Sequence, residues 1–506
     1  MTTILTPDAT DLKLIGYYLG KVMLGIGVLQ LIPLAVALGW GEWNSASAFA
    51  IGASVAVLIW ALSDAALATR RSLTWAHGMV VVALSWLVGA IVAAVPMLLS
   101  GRFSGPLYAV FEAMSALTTT GMSVIHDLDH TPFSMDLYRH LLQISGGLGI
   151  VIVVLSVFAA GGARITTLYV SEARDERVLP NIIRTARFIS QVAATLFVVF
   201  TTALFVTLMA SGFTPNRAAY HAVNLFFSSF ATGGFSVMQS SIIYYHSAWV
   251  ELIVGLIMIA GTLSFGLHLA MWREDPREVL RHLETRTLAV TTTAFFVLIA
   301  FALVSAGVYD SVEQLLRKGL FTLISAVSST GHQVNVGDVY LHDWGVLAPA
   351  AIVGAMAIGG MASSTAGGIK AMRIGITFKS LTHDIRRILL PEAALVVTTY
   401  HAGKRQMLRD ETARAATTVL LLFIASHLFG AMVGLAYGGF DITQTLFESV
   451  SVGSNIGISI GIVSPQMPDG LAAVYIVQMW LGRLEFVAVF ALLGYLVSLA
   501  RGRARA

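Results

Sequence analysis

The sequence contains no cysteine and few charged residues. Without cysteine, neither a disulfide framework nor a thiolate metal site can form. Charged residues make up 12% of the 506 residues, whereas 56% are hydrophobic. Because an average soluble domain carries about 25% charged residues, this composition excludes an ordinary soluble globular protein.

Three further features are missing, and each excludes a class of function or processing. The net charge is only +3 and the basic residues are spread over short loops, so no nucleic-acid partner is expected. No Walker-type or dinucleotide glycine motif is present, and we expect no organic cofactor in this chain. The N-terminus lacks a basic segment followed by a short apolar run and a cleavage site, so no removable signal peptide is expected.

Long apolar runs are abundant instead. Many reach eighteen or more residues, which is enough to cross a hydrocarbon core of about 30 Å as a helix. The sequence therefore predicts an all-α polytopic membrane protein, embedded in membrane lipid. The ten predicted spans lie at approximately 13–40, 48–67, 77–99, 139–160, 188–211, 247–272, 288–308, 345–375, 415–437 and 470–500.

One short motif recurs four times between these spans, at 111–121, 224–234, 321–331 and 447–457. In every copy a serine stands six places before a closing glycine. The serines are Ser115, Ser228, Ser325 and Ser451, and the closing glycines are Gly121, Gly234, Gly331 and Gly457. Four such copies in series indicate an internal repeat. Because about eleven residues cannot cross the bilayer, each copy is predicted to be a half-helix that enters the membrane and stops at its glycine.

The repeats divide the chain into five parts. We predict an N-terminal two-helix domain at 1–70, then four units of helix, pore half-helix and helix at 71–165, 166–275, 276–400 and 401–506. Irregular backbone at membrane depth is tolerated where it is buried in protein or faces water. A pseudo-fourfold arrangement of the four units around one pore satisfies both conditions.

Lysine and arginine indicate the orientation of the chain. Most of them lie in the loops on the same side as the termini, so the positive-inside rule predicts that both termini are cytoplasmic. The half-helix loops then open outward among aspartates, which would concentrate cations. These are Asp127, Asp129, Asp136, Asp310, Asp338, Asp343 and Asp441.

The half-helices and their glycine loops together predict a cation site. A half-helix that ends at the pore directs its C-terminal carbonyls and partial negative charge toward the axis. Glycine allows successive carbonyls to face inward, where they replace the water shell of an ion. Neutral carbonyls suit a weakly hydrated monovalent cation better than Mg²⁺ or Ca²⁺, which prefer carboxylates.

For several other small and acidic residues a structural role is the preferred interpretation. Gly146, Gly149 and Gly266 are expected to permit close packing of helices. Glu112 and Glu448 occupy matching positions in the first and fourth half-helices. They are expected to brace the loops rather than to meet the ion.

The second span of the third unit is interrupted by small and hydroxyl residues at 359–370. Each glycine there weakens a helix by about 1 kcal/mol. We predict a break at membrane depth that acts as a gate beneath the filter. Its residues are Gly359, Gly360, Ser363, Ser364, Thr365, Gly367, Gly368 and Lys370. For Lys370 and Arg373 the alternative is a basic residue that extends to the membrane interface.

Arg483 lies near the centre of the last predicted span. An ionisable group at that depth is costly and usually faces a cavity or a partner. We predict that Arg483 has no compensating acid nearby, lowers cation occupancy of the inner cavity and belongs to the gate. Glu485 points to another face of the helix, and its partner is expected on a different helix.

The four half-helix units, the segment Ser364-Thr-Ala-Gly-Gly-Ile-Lys370 and the segment Gly482-Arg-Leu-Glu485 resemble the TrkH/KtrB family of bacterial potassium transporters and channels. The two extra N-terminal helices favour the TrkH branch. The resemblance implies a homodimer in the bacterial inner membrane and a cytoplasmic nucleotide-binding regulatory subunit of the TrkA type. It also implies that potassium is the transported ion, held by backbone carbonyls at the filter. The positions carried over are Thr119, Thr120, Gly121, Thr232, Gly233, Gly234, Ser329, Thr330, Gly331, Asn455, Ile456 and Gly457.

The second copy of the motif departs from the other three. It has Asn224 where the others have phenylalanine, and its Gly233-Gly234 pair makes the closing glycine ambiguous until the serine spacing selects Gly234. The sequences of all four loops are also irregular when compared with the Thr-Val-Gly-Tyr-Gly loops of tetrameric potassium channels.

Three alternatives remain open at this point. One is a potassium symporter driven by H⁺ or Na⁺ rather than channel-like conduction. A remote one is an intramembrane hydrolase, because Ser264 and His268 stand four residues apart on one helix face. The third is a metal site at Asp127-Leu-Asp-His130, although an acidic outer mouth explains those residues equally well.

Overall fold

A computed structural model of the chain describes residues 9–69, 71, 73–149, 182–272, 277–335, 343–391 and 396–501. This part of the chain is almost entirely helical. Six of its helices are long and apolar enough to cross a membrane, and two bent helix pairs also pass that test if each pair is one span. The all-α polytopic architecture expected from the sequence is confirmed.

Two long helices precede the repeats, α1 (Ala9–Trp40) and α2 (Trp43–Leu67). Small residues line their contact. A Cβ built on Gly20 would lie 2.5 Å from Cβ of Ser63, and one on Gly27 would lie 3.0 Å from Cβ of Ala56. In membranes small residues bring helix backbones close together, so these positions hold the two helices as a pair.

Each later unit contains a short helix between longer ones. The first has α3 (Trp75–Leu99), α4 (Pro106–Leu117) and α5 (Phe133–Leu148). The second has α6 (Ile182–Ala210), α7 (Pro215–Phe230), a 3₁₀ turn (Ser241–Tyr245), α8 (Ala248–Thr262) and α9 (Phe265–Trp272). The part of the predicted span 139–160 that follows Gly149 lies outside the described residues.

The third unit has α10 (Arg277–Arg281), α11 (Leu283–Ser305), α12 (Val312–Gln314), a π-helical turn (Leu315–Leu320), α13 (Phe321–Val327), α14 (Leu347–Ala357) and α15 (Ala371–Leu389). The fourth has α16 (Asp410–Ala436), α17 (Ile442–Gly453), α18 (Asp469–Leu484) and α19 (Val487–Ala500). Between them lies a hairpin that the sequence analysis missed. Its antiparallel strands are β1 (Thr399–Ala402) and β2 (Lys404–Met407), joined at Gly403, whose φ is +65°.

The predicted half-helices are present and begin as their sequences suggest. α4 and α7 start with proline, which has no N–H to lose at the first helical position. The phenylalanine that recurs in three copies of the motif has a packing role, since Phe111, Phe321 and Phe447 are all buried. In the second copy Asn224 replaces the phenylalanine and its amide donates to the carbonyl of Tyr220.

Two of the predicted spans contain a break that the sequence analysis did not predict. The chain bends by 102° between α8 and α9 and by 112° between α18 and α19. At the first bend the Ser264 hydroxyl accepts the Leu267 N–H and starts a new helix. At the second, Glu485 and Phe486 have φ of +50° and +68°. The break predicted at 359–370 is confirmed, because α14 ends at Ala357 and α15 begins at Ala371.

Candidate functional site

The four loops that follow the half-helices share one backbone conformation. Two residues before each closing glycine, φ is +55° at Thr119, +52° at Thr232, +56° at Ser329 and +55° at Asn455. At the closing glycines φ is +81° at Gly121, +71° at Gly234, +90° at Gly331 and +93° at Gly457. Left-handed φ is costly for residues with a Cβ, so its recurrence at four non-glycine positions shows that the surrounding structure imposes it.

The motif serines hold these loops through backbone bonds. The N–H before each closing glycine donates to the carbonyl of the serine five residues earlier. The pairs are Thr120 to Ser115 at 2.8 Å, Gly233 to Ser228 at 2.8 Å, Thr330 to Ser325 at 3.0 Å and Ile456 to Ser451 at 2.9 Å. In the first two loops the serine hydroxyl also donates across the glycine, to Met122 O at 2.6 Å and Phe235 O at 2.5 Å. The serine spacing therefore fixes where each loop turns.

The closing glycines bring the four loops together in a ring. A Cβ built on each glycine would collide with the carbonyl oxygen before the closing glycine of another loop. The distances are 2.0 Å from Gly121 to Gly233 O, 1.9 Å from Gly234 to Thr330 O, 1.8 Å from Gly331 to Ile456 O and 2.2 Å from Gly457 to Thr120 O. The first loop thus contacts the second, the second contacts the third, the third contacts the fourth, and the fourth contacts the first. Glycine is required both for its φ and because no side chain fits.

A cavity of about 380 Å³ lies against this ring and is lined by all four closing glycines. Its lining also includes several serines together with Gln239, Gln333 and Arg139. Among the described residues no carboxylate lines it. The expected acidic mouth is therefore not formed by aspartates at the ring itself.

Three of the predicted mouth aspartates make contacts with other residues. Asp136 is buried, with its Oδ1 2.9 Å from Nη1 of Arg139. Asp129 accepts the Gln239 N–H at 2.8 Å. Asp127 is exposed and pairs with His130 at 2.9 Å, and this hydrogen bond lowers the pKa of the Asp127 carboxyl. Asp338 lies outside the described residues.

Glu112 and Glu448 brace the outer limbs of the first and fourth loops, as expected. Glu112 accepts the Ser123 hydroxyl at 2.9 Å and the Val124 N–H at 2.8 Å. Glu448 accepts the equivalent Ser459 hydroxyl at 2.6 Å and Ile460 N–H at 3.1 Å. Both carboxylates are fully buried.

Glu112 also binds Arg139, a residue that the sequence analysis did not identify. Its Nε donates to Glu112 at 2.8 Å and its Nη2 donates to the Ser123 hydroxyl at 3.0 Å. The guanidinium also lies 4.0 Å from the centre of the Phe235 ring. The fully buried arginine thus ties the first loop to α5 and to the second loop.

The interruption between α14 and α15 forms a compact loop. The Gly359 N–H donates to Ile369 O at 2.8 Å, which closes the loop at its base. A Cβ on Gly359 would lie 2.0 Å from the Gly367 carbonyl oxygen, so the two limbs touch. Glu284 on α11 fastens both ends, because its Oε1 accepts the N–H groups of Ala362 at 2.7 Å and Met372 at 3.2 Å.

This intramembrane loop packs against the ends of three half-helices. The Thr365 hydroxyl contacts Phe230 O at 2.9 Å and Thr232 Oγ1 at 3.3 Å. Ser329 Oγ donates to Gly367 O at 3.3 Å, and a Cβ on Gly367 would lie 2.6 Å from Cβ of Asn455. The loop therefore covers the side of the ring opposite the closing glycines.

Arg483 joins the same assembly to the first unit. Its Nη1 donates to Thr365 O at 2.7 Å and to Thr119 Oγ1 at 3.2 Å, and its Nη2 donates to Gly146 O at 2.8 Å. The sequence analysis expected an arginine without compensation. Carbonyl and hydroxyl oxygens instead accept hydrogen bonds from its guanidinium.

The basic residues at the exit of the loop are also bound. Lys370 Nζ donates to Ala366 O, which closes one side of the loop. Arg373 Nε donates to Glu485 at 2.8 Å, and the Glu485 side chain is only 1% exposed. The partner of Glu485 thus lies on another helix, as predicted. Arg373 is thus bound to a buried acid on another helix.

The hydrolase and metal-site hypotheses find no support in the geometry. Ser264 Oγ accepts the Leu267 N–H, whereas Nε2 of His268 bonds to Ala260 O at 2.9 Å, so the two side chains are not paired as nucleophile and base. Within the described ranges no group of three or more His, Asp or Glu side chains is placed to hold a metal ion. Asp127 and His130 form a hydrogen-bonded pair.

Four re-entrant loops that meet in a ring inside a bundle of spanning helices define a pore-type membrane transport protein. The chain belongs to the TrkH family, described as a cation transport protein, whose pattern it matches over residues 45–494.

Individual relatives agree with this assignment. The chain is 31% identical over 484 residues to an uncharacterized cation transporter of Methanocaldococcus jannaschii, covering 95% of both chains. It is 29% identical to the Trk system potassium uptake protein TrkH of Halomonas elongata, over 95% of this chain and 98% of that one. Its fold is similar to the crystal structure of the potassium transporter TrkH from Vibrio parahaemolyticus. That match has a TM-score of 0.80 at 25% identity and covers 95% of this chain and 98% of the other.

Proposed function

We propose that this protein takes up potassium across the cytoplasmic membrane of a bacterium through the ring of four loops. The observation that carries the proposal is the closed set of contacts in which each closing glycine meets a carbonyl oxygen of another loop. The printed functions of the Halomonas and Vibrio relatives, potassium uptake and potassium transport, support the choice of ion.

The selectivity filter is formed by carbonyl oxygens from two successive residues in each loop. They belong to Thr119, Thr120, Thr232, Gly233, Ser329, Thr330, Asn455 and Ile456. Carbonyl oxygens in this number replace the water shell of a potassium ion. The C-terminal ends of α4, α7, α13 and α17 add partial negative charge beside the ring, which favours a cation there.

The gate is the intramembrane loop at 359–370 together with Arg483. The loop lies against the ends of three half-helices, and Arg483 binds the Thr365 carbonyl and the Thr119 hydroxyl. In this position the loop obstructs the path beneath the filter, and the guanidinium repels cations from it. Opening requires the loop to leave these acceptors.

The working protein is a homodimer whose opening is controlled by a cytoplasmic nucleotide-binding subunit of the TrkA type. The name of the Halomonas relative, a Trk system protein, supports a multi-component assembly. The chain has no nucleotide-binding motif of its own, so nucleotide sensing falls to the partner. Both termini face the cytoplasm, in accord with the distribution of lysine and arginine.

Flux measurements on the purified protein in liposomes test the proposal. We expect potassium flux that sodium competes with poorly, and growth of a potassium-uptake-deficient bacterium at low potassium when the chain is expressed with its partner. Reversal potentials recorded across pH and sodium gradients separate conduction from coupled transport. A reversal potential that follows only the potassium gradient supports a channel, and one that moves with H⁺ or Na⁺ supports a symporter. Flux equal for potassium and sodium contradicts the filter.

A further inference from the structure

The second loop differs from the others at the residue before its closing glycine. That position is held by Thr120, Thr330 and Ile456 in the other loops but by Gly233 here. Gly233 is not among the residues with left-handed φ. The backbone therefore does not require glycine at this position, and another feature must explain it.

The side chain of Gln143 occupies the space that a residue-233 side chain would fill. A Cβ built on Gly233 would lie 2.5 Å from Cδ and 2.6 Å from Nε2 of Gln143. Gln143 lies on α5, in the first unit, and is fully buried. Its amide thus enters the second loop from outside, at the place where the other loops carry their own β-branched side chain.

The Gln143 amide also bonds to the ring. Its Nε2 donates to the Gly233 carbonyl oxygen at 2.6 Å, and this oxygen is the one that faces Gly121. Its Oε1 has no hydrogen-bond partner among the described residues. Within the described part of the chain, the Gln143 side chain therefore makes its hydrogen bond to the second loop. A carbonyl oxygen has two lone pairs, so this bond leaves one available to an ion.

The other loops carry β-branched side chains of their own at this position. Thr120 and Thr330 have stiff β-branched side chains, and their hydroxyls pair with Thr118 at 2.8 Å and Ser328 at 2.7 Å. Ile456 is β-branched and fully buried. The second loop has Ala231 at the place of the hydroxyl partner and glycine at the place of the β-branched residue. On its own it would be the most mobile of the four.

We infer that Gln143 is a specificity-determining positioning residue, which replaces the missing side chain of the second loop and holds the Gly233 carbonyl in the ring. This inference rests on the proposed function, because the carbonyl matters for selectivity only if the ring selects the ion. The replacement of a side chain of the second loop by the Gln143 side chain explains why the second copy of the motif has two adjacent glycines.

The test measures potassium over sodium discrimination in liposomes for three variants. Gln143→Leu keeps the volume but removes the donor, and we expect discrimination to fall about fivefold, the equivalent of one lost hydrogen bond. Gly233→Val is expected to do worse, because its side chain collides with Gln143. The double variant Gln143→Ala, Gly233→Val restores a β-branched residue in the second loop without the collision. It is expected to recover discrimination to within about twofold of the wild type, since the two sites are directly coupled.

Two controls separate this inference from the proposed function. Gln478→Leu changes a buried glutamine on α18 whose amide bonds to Ser426 O and Ser449 Oγ, outside the ring, and should leave discrimination unchanged. Gly331→Ser changes the ring itself and should lower discrimination by about tenfold or more. If Gly331→Ser loses discrimination while Gln143→Leu retains it, the inference about Gln143 is wrong and the filter stands. If neither variant changes discrimination, the filter assignment itself fails.

The double variant decides the question even if Gln143→Leu does not fold. Recovery relative to Gly233→Val supports the exchange of side chains between α5 and the second loop. A double variant as poor as Gly233→Val alone overturns it. Elution as a single species in size-exclusion chromatography shows which variants are folded and fit for the flux measurement.

Discussion

The ring of loops is fourfold repeated, whereas the second helices of the four units, which lie beneath the ring, differ from one another. In the ring, all four loops repeat the same pair of left-handed residues and the same contact between a glycine and a carbonyl. Beneath it, the second helix of each unit is interrupted in its own way. α5 ends at Gly149 with φ of +79°, α8 stops before Ser264, α18 stops at Glu485, and in the third unit more than ten residues separate α14 from α15.

In three of the units, the second helix nevertheless carries a glycine at an equivalent position near its end. A Cβ on Gly146 would lie 1.9 Å from Leu117 O, one on Gly261 would lie 2.4 Å from Phe230 O, and one on Gly482 would lie 2.2 Å from Gly453 O. In these three units a glycine packs against the last turn of the half-helix. An ion needs equal ligands on all sides, whereas one obstruction suffices to block a path. This difference fits the proposed function, in which four loops surround the ion and a single loop forms the gate.

The largest expected effect comes from breaking the ring. In Gly331→Ser the new Cβ would lie 1.8 Å from Ile456 O, and serine also disfavours φ of +90°. The carbonyl must turn away, so we expect discrimination between potassium and sodium to fall by about tenfold or more. Gly121→Ser should act in the same way. Uptake in potassium-limited cells with sodium competition measures it, and unchanged selectivity in both variants would remove the loops from the filter.

Changes in the asymmetric layer should act on flux and not on selectivity. Arg483→Ala removes a positive charge from beneath the ring, and deletion of 362–366 shortens the obstructing loop. Each is expected to raise flux, on the order of tenfold for removal of a unit charge from a poorly solvated path. The combined variant should give less than the product of the two, because both open one barrier.

Liposome flux for each single variant and for the combined one provides the measurement. Selectivity serves as the internal control, since the ring above the loop is untouched. Lower flux in both single variants, with the protein folded, would mean that these residues hold the pore together rather than close it.

A smaller effect is expected on stability, where substitutions of Glu112 and Glu448, which brace the first and fourth loops, should differ. Glu112→Gln leaves the buried guanidinium of Arg139 without one of its carboxylates, which we expect to cost about 3 kcal/mol of unfolding free energy. Glu448→Gln disturbs hydrogen bonds to a hydroxyl and to two N–H groups without an arginine, at about 1 kcal/mol. Thermal unfolding in detergent compares them. Equal losses would show that the ion pair adds nothing to the brace.

The smallest expected signal is nucleotide binding by the isolated chain. The sequence has no Walker-type or dinucleotide glycine motif, so we expect no binding heat for ATP or NADH at micromolar concentrations. Calorimetry on the purified protein provides the measurement, with the same protein plus its regulatory subunit as the positive control. Tight binding by the chain alone would refute the assignment of nucleotide sensing to a partner.

Much of the architecture was predictable because its signals are local. Apolar runs, four serine-to-glycine spacings and a glycine-rich interruption are properties of neighbouring residues, and they correctly gave the helical membrane fold, the half-helices and the break at 359–370. The breaks within 247–272 and 470–500 were not predicted for the same reason. Glu485 and Phe486 have no local signal for left-handed φ, since neither is glycine or asparagine.

The contacts that complete the site were decided only by the tertiary structure. The Gln143 amide meets a carbonyl 90 positions away, Glu284 fastens a loop 78 positions away, and Arg483 reaches Thr119 across 364 positions. Periodicity and spacing report what the backbone does over a few residues. They carry no information on which distant side chain fills the space beside a glycine, because packing around the common axis determines that.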